Sequence, residues 1–272
     1  MIFFASKEKT EDLLYQGMSF MENKLPKNAI SFFKKVTKQE PKNIDALYNL
    51  GLALNQLKKY QDAITCFDKV LEIDPKYIAA INNRGISLAE LGNTDDALEY
   101  YNKAIEIDQK YAAAYYNRGV LYDKLLKHEE GIQSLDEAIK CDSGNVNTAF
   151  YRGIVLGKMK KHEEALNCFE NICQKHPKHM DAYFHKGMEL AELGKHDKAL
   201  VIFDKLLQIH EGNVNVIYAM ARSNAAIANI GRALYLLELA VKKDRKTIKK
   251  WALEDEFFDS LQDEPKFRKL IR

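Results

Sequence analysis

Glycines recur at a fixed interval along this chain: Gly17, Gly51, Gly85, Gly119, Gly153 and Gly187 are each 34 residues apart, and Ala221 continues the series. Each lies inside an apolar pattern of helical spacing, where glycine costs about 1 kcal/mol relative to alanine. A chain that keeps such a residue must use it for close packing. Counting so that this residue is position 8, the units begin at Thr10, Ile44, Ile78, Ala112, Val146, Met180 and Val214. Position 20 is small throughout (Ala29, Ala63, Ala97, Gly131, Ala165, Ala199, Ala233), and position 24 is large and apolar (Phe33, Phe67, Tyr101, Leu135, Phe169, Phe203, Leu237). Pro41, Pro75 and Pro177 share position 32.

Each unit reads as two helices. Leu47, Leu50, Leu54 and Leu57 give the first a helical apolar stripe. A break such as Leu91–Asp96 follows, where Asn93 and Thr94 are expected to cap the second helix. Proline at position 32 is expected to end it. Two helices cannot bury their apolar faces alone, so each pair must pack on the next, with the small residues of positions 8 and 20 at the crossings. The segment after the last unit carries Trp251, Phe257, Phe258, Leu261, Phe267, Leu270 and Ile271 among charged residues, and is expected to cover the final apolar face. The divisions are 1–9 as a lead-in, seven units at 10–43, 44–77, 78–111, 112–145, 146–179, 180–213 and 214–247, and a closing segment at 248–272.

This pattern, with its aromatic residues at several of positions 4, 5, 11 and 24, resembles the tetratricopeptide repeat. The resemblance covers Thr10 to about Thr247. It implies an all-α, right-handed superhelical solenoid of antiparallel helix pairs, with first helices lining a concave groove. Ala221, Asn224 and Arg245 depart from the pattern in the seventh unit, as does Gly131 in the fourth.

The same resemblance points positions 2, 5, 6, 9, 12 and 13 into the groove. Position 5 carries Tyr48, Asn82, Tyr116, Phe150, Phe184 and Tyr218. Position 6 carries Asn49, Asn83 and Asn117, then Tyr151 and His185. Position 9 carries Leu52, Ile86, Val120, Ile154, Met188 and Arg222, and Lys124 stands at position 13. An amide row beside aromatic and aliphatic side chains suits an extended or helical peptide with apolar anchors. The two-carboxylate clamp of some family members needs a Lys and Asn set that no three consecutive units supply. Arg84, Arg118 and Arg152 at position 7 are expected between adjacent first helices, pairing with nearby acids.

Other chemistry finds little anchor. His128, His162 and His196 are one slot repeated at position 17, and cannot converge on one ion. Cys168, Cys173, His176 and His179 lack a common zinc spacing. His162–Leu166 lacks the second histidine of a zincin helix, and no phosphate-cradling glycine loop or nucleophile elbow occurs. No enzyme, cofactor or metal is expected. Lys and Arg total 41 against 39 Asp and Glu, so no long-range field favours nucleic acid or anionic membrane. An RNA-reading array would need a strongly basic groove, and the period here is 34. No run approaches the ~20 apolar residues of a membrane helix. The opening residues MIFFAS lack a signal-peptide core, and four cysteines make no disulfide framework. The expected function is a non-enzymatic cytoplasmic scaffold for a protein or peptide partner. Self-association and a non-catalytic place in a larger complex are the alternatives.

Overall fold

The computed structural model describes residues 9–271. The lead-in expected over 1–9 therefore lies, apart from Lys9, outside the described residues. First helices are α1 (Thr10–Glu22), α3 (Ile44–Gln56), α5 (Ile78–Glu90), α7 (Ala112–Lys124), α9 (Val146–Lys158), α11 (Met180–Glu192) and α13 (Val214–Ala226). Second helices are α2 (Pro26–Gln39), α4 (Tyr60–Ile73), α6 (Thr94–Ile107), α8 (His128–Cys141), α10 (His162–Lys175), α12 (His196–Ile209) and α14 (Ile230–Lys243). The chain closes with α15 (Arg245–Glu254), a 3₁₀ turn (Glu256–Leu261) and α16 (Pro265–Ile271). The fold class is an all-α solenoid of antiparallel helix pairs. It divides into two compact units, Met1–Gly144 with α1 to α8 and Asn145–Arg272 with α9 to α16. Within each unit every second helix packs on the first helix that follows it.

Position 8 is buried against the large residue of position 24 in its own pair. A methyl group on Gly51 would sit 2.5 Å from Cε1 of Phe67, and one on Gly187 equally close to Phe203. The residue at position 24 is almost completely buried in all seven pairs, as is the alanine of position 20 wherever it stands. So the missing side chain makes room for a ring: burying each phenyl group contributes about 1.5–3 kcal/mol, more than the helix propensity lost. In the fourth pair a leucine replaces the ring and the backbones close up instead. There a methyl group on Gly119 would meet Leu135 Cγ at 2.9 Å and the Gly131 carbonyl at 3.0 Å.

Helix ends depart from expectation. Asn93 makes no side-chain cap to α6. Among the paired helices the side-chain caps lie instead on first helices, where position 34 accepts from the opening turn: Asn43 from Ala46 N–H, Asn145 from Thr148 N–H, His179 from Ala182 N–H and Asn213 from Asn215 and Val216 N–H. Nor does proline set the end of the second helices, which all stop at position 30 whether or not position 32 is proline. In three pairs an aspartate turn follows the end: Asp74, Asp108 and Asp142 accept from the backbone N–H two residues on, at 3.0, 2.8 and 3.1 Å. Between the helices of each pair, position 15 adopts positive φ every time, in Gly92 and Gly194 but also in Lys24, Lys58, Leu126, Lys160 and Ala228.

In the second unit the closing segment packs on α13 and α14. Phe258, Leu261 and Phe267 are fully buried there, while Trp251 stays 39% exposed.

Candidate functional site

In the first unit, α3, α5 and α7 hold the amide row. Tyr48 packs its ring on Tyr77 at 5.3 Å and accepts from Asn83 Nδ2 at 3.1 Å. Burial pushes its phenol up to about 12, so it stays neutral. Asn83 sends its other hydrogen to the Ala79 carbonyl at 2.8 Å, and Asn49 bonds the Asp45 carbonyl in the same way. Asn117 donates to Asn82 Oδ1 at 2.9 Å. The row is therefore tied within and between its helices, with both Asn83 donors engaged. Asn83 thus offers its carbonyl oxygen outward, which accepts N–H groups, while Asn49 and Asn117 each keep one amide hydrogen beside theirs. Beside them Leu52, Ile86 and Val120 are half-buried, as is Tyr116, whose pKa burial raises.

Two residues of the expected set stand differently. Asn82 is only 3% exposed, because its amide fills the slot of an aromatic ring and bonds its neighbour. Lys124 reaches Glu90 Oε1 at 2.8 Å, while the Tyr60 hydroxyl donates to the other oxygen at 3.3 Å. Lys124, the leading cause, holds the Glu90 carboxyl below its usual range.

The corresponding face of the second unit is aromatic. The His185 ring lies 5.3 Å from Phe150, 5.3 Å from Phe169 and 5.4 Å from Phe184, with His179 against Phe150 at 5.2 Å. Desolvation in this nest lowers the His185 pKa, keeping the imidazole neutral. Ile154 and Met188 are half-buried alongside, and Lys158 lies over the Tyr151 ring at 6.0 Å.

At α13 the expected residues are engaged by the closing segment. Tyr218 is 7% exposed, donates to Asp255 Oδ2 at 2.8 Å, and packs against Trp251 and Phe258. Arg222 pairs with Asp255 at 2.7 Å and Glu192 at 2.9 Å, and stacks on Phe257 at 4.3 Å. The closing segment folds across this helix because Phe258 needs burial, and Asp255 arrives with it. Tyr218 and Arg222 are thus both engaged by the closing segment, and with Glu192, Trp251 and Asp255 they line a cleft at the surface. The sequence shows only two acids, Asp255 and Glu256, directly before Phe257 and Phe258.

The position 7 cations also differ from expectation. Arg84 reaches back to Asp68 on the preceding second helix at 2.6 Å, with Tyr100 under its guanidinium at 4.2 Å. Arg118 bonds Asn102 at 2.7 Å and Ser134 at 3.1 Å, and Lys186 pairs with Glu170 at 3.0 Å. Asp68, Asn102 and Glu170 all occupy position 25, so this cation fastens one pair to the next across second and first helices. Arg152 donates to Cys168 at 3.1 Å.

The histidines of position 17 share a slot and differ in partner. His128 meets the buried Asp123 at 2.9 Å and His162 the buried Glu189 at 2.8 Å. Glu189 fits because Gly157 stands opposite, where a methyl group would lie 2.6 Å from Oε1. Among the described residues no group of three or more His, Cys, Asp or Glu is placed to hold a metal ion. No helix there is long and apolar enough to cross a membrane. The face as built can bind through hydrogen-bond acceptors, aliphatic side chains and rings.

Comparison with known proteins gives three family matches. Models described as tetratricopeptide repeat match residues 43–110, and residues 82–146 with 152–214. A model of anaphase-promoting complex, cyclosome, subunit 3 matches residues 2–70. Among solved structures, a tetratricopeptide repeat protein from Parabacteroides merdae is 22% identical, covering 89% of this chain and 96% of its own at a TM-score of 0.62. YrrB, described as a TPR protein with an unusual peptide-binding site, is 25% identical, covering 69% and 97% at 0.59. The C-terminal part of a TPR repeat-containing protein from Cytophaga hutchinsonii is 15% identical, covering 87% and 98% at 0.68. A search of curated proteins finds no match.

Proposed function

Since the chain belongs to the tetratricopeptide-repeat family, whose members are generally protein-interaction scaffolds, we propose that it is a non-enzymatic cytoplasmic adaptor holding a peptide segment of a protein partner on its first helices. The observation that carries this reading is the face of α3, α5 and α7. There Asn83 has both amide hydrogens bonded internally and Asn49 and Asn117 have one each, so the row offers carbonyl oxygens and amide hydrogens beside the half-buried Leu52, Ile86 and Val120. An extended backbone supplies N–H groups to such acceptors, and its alternate side chains anchor on the aliphatic residues. The peptide-binding description of YrrB, at 25% identity, supports the same reading. On the second unit, Phe150, Phe184 and His185 offer rings to apolar anchors.

A comparison of partner recovery by the wild-type chain and an Asn83→Ala/Tyr116→Ala/Asn117→Ala variant tests this, with circular dichroism verifying that the variant is folded. A partner held by wild type and lost by the folded variant is the expected result. Equal recovery would move the site elsewhere. The match of residues 2–70 to a subunit model favours a second reading, a non-catalytic component of a larger assembly; co-elution of the native chain at several times its 31.3 kDa mass with other proteins would distinguish it.

A further inference from the structure

On the second unit, α14, α15 and α16 enclose a cleft of about 650 Å³ that the first-helix reading leaves unused. Four cations line it, Lys242, Arg245, Lys266 and Lys269, against one carboxylate, Glu238. The two oxygens of Glu238 are shared between Lys242 at 2.8 Å and Lys266 at 3.1 Å. These two ion pairs hold Glu238 below the usual carboxylate range. Among the described residues Arg245 and Lys269 have no acid partner. In a chain whose formal charge is only +2 overall, this concentration of like charge is local, and gathering it in a concavity raises the positive potential there. We infer that the cleft is a second docking site, for an acidic segment of a protein partner whose carboxylates pair with Arg245 and Lys269.

The lining selects among anions. Val241 and Leu270 form an apolar wall, which a peptide side chain can cover and a free phosphate cannot. No aromatic ring lines the cleft, so nucleobases have no platform to stack on. Three of the four cations are lysines, point charges that accept a carboxylate from several directions. Glu238 fixes two of them in place before any ligand arrives, and also lowers affinity by its own charge. That second role makes the site testable in the direction of gain as well as loss.

The probe is fluorescein-labelled hexaglutamate, titrated by fluorescence anisotropy against the full chain at low ionic strength. Saturable binding to one site per chain is expected, weakening steeply with added salt. The variant Arg245→Ala/Lys269→Ala should bind about tenfold more weakly, at the strength of two partly exposed ion pairs. Glu238→Gln removes the competing carboxylate and should tighten binding severalfold, which loss of structure could not do. The Asn83→Ala/Tyr116→Ala/Asn117→Ala variant should keep wild-type affinity for the probe, separating this site from the first-helix face. Equal affinity in all variants would overturn the inference, and so would weaker binding by a folded Glu238→Gln. Capture by phosphatidylserine vesicles through Arg245 and Lys269, with no hexaglutamate binding, would overturn it in favour of a membrane surface.

Discussion

At the scale of single residues, glycine acts in two opposite ways, and the difference is the neighbour. A methyl group on Gly51 would lie 2.5 Å from the fully buried Phe67 ring, while one on Gly231 in α14 would meet nothing within 4 Å. Alanine improves helix propensity by up to about 1 kcal/mol at either place. At Gly51 the overlap outweighs this, since overpacking a filled core costs about 1–3 kcal/mol. Gly51→Ala is therefore expected to lower stability by about 1–2 kcal/mol, and Gly231→Ala to raise it by several tenths. Urea unfolding of the two variants beside wild type measures both, and stabilisation by Gly51→Ala would contradict the ring-for-methyl account. The glycine period was legible because the apolar residue at position 24 recurs in step with it. Gly157 was not, since its reason is the carboxylate of Glu189, one pair away and outside the period.

At the scale of elements, the α9–α11 region couples packing to proton binding. His179 accepts a hydrogen bond at the start of α11, and the neutral His185 is enclosed by Phe150, Phe169 and Phe184. Desolvation lowers the folded pKa of His185, and likewise of His196, against an unfolded value near 6.5. Below about 6.5 the unfolded chain therefore binds protons that the folded chain resists, and stability falls as pH drops through that value. The slope from each group is at most ~1.4 kcal/mol per pH unit. Asp181 opposes the His185 shift without reversing it, and the raised Glu189 acts in the other direction at lower pH. Urea unfolding at pH 7.5 and 5.5 should show this loss, and His185→Phe should reduce it, because phenylalanine fills the nest and takes no proton. An undiminished loss in His185→Phe would place the proton uptake elsewhere. The helix boundaries themselves were legible to within a few residues from periodicity. Their stop signal was misread: proline at position 32 is conspicuous, yet the second helices end at position 30 with or without it.

At the scale of the whole molecule, an array of pairs that touch only their neighbours makes stability local. Removing residues 255–272 strips Phe258, Leu261 and Phe267 from α13 and α14. Two buried phenylalanines and a leucine are worth at least ~4 kcal/mol, so amide exchange in α13 and α14 should accelerate strongly while protection in α1 to α6 is unchanged. Uniform acceleration along the chain would mean that it unfolds as one body instead. The sequence by itself determined the helix pairs, their register and the close crossings, because each rests on contacts inside one period, repeated seven times. Three things it did not determine. Tyr218 and Arg222 are bonded by a segment from outside the repeats. The amide row is engaged within and between its helices. Position 15 is held at positive φ even in leucine, lysine and alanine. Local preference opposes that last conformation by about 1–2 kcal/mol, and only the packing of both helices of a pair enforces it. The closing segment stands outside the period, and the amide bonds and the position 15 backbone are set by geometry rather than by residue type, so the tertiary structure alone decided how the expected surfaces are engaged.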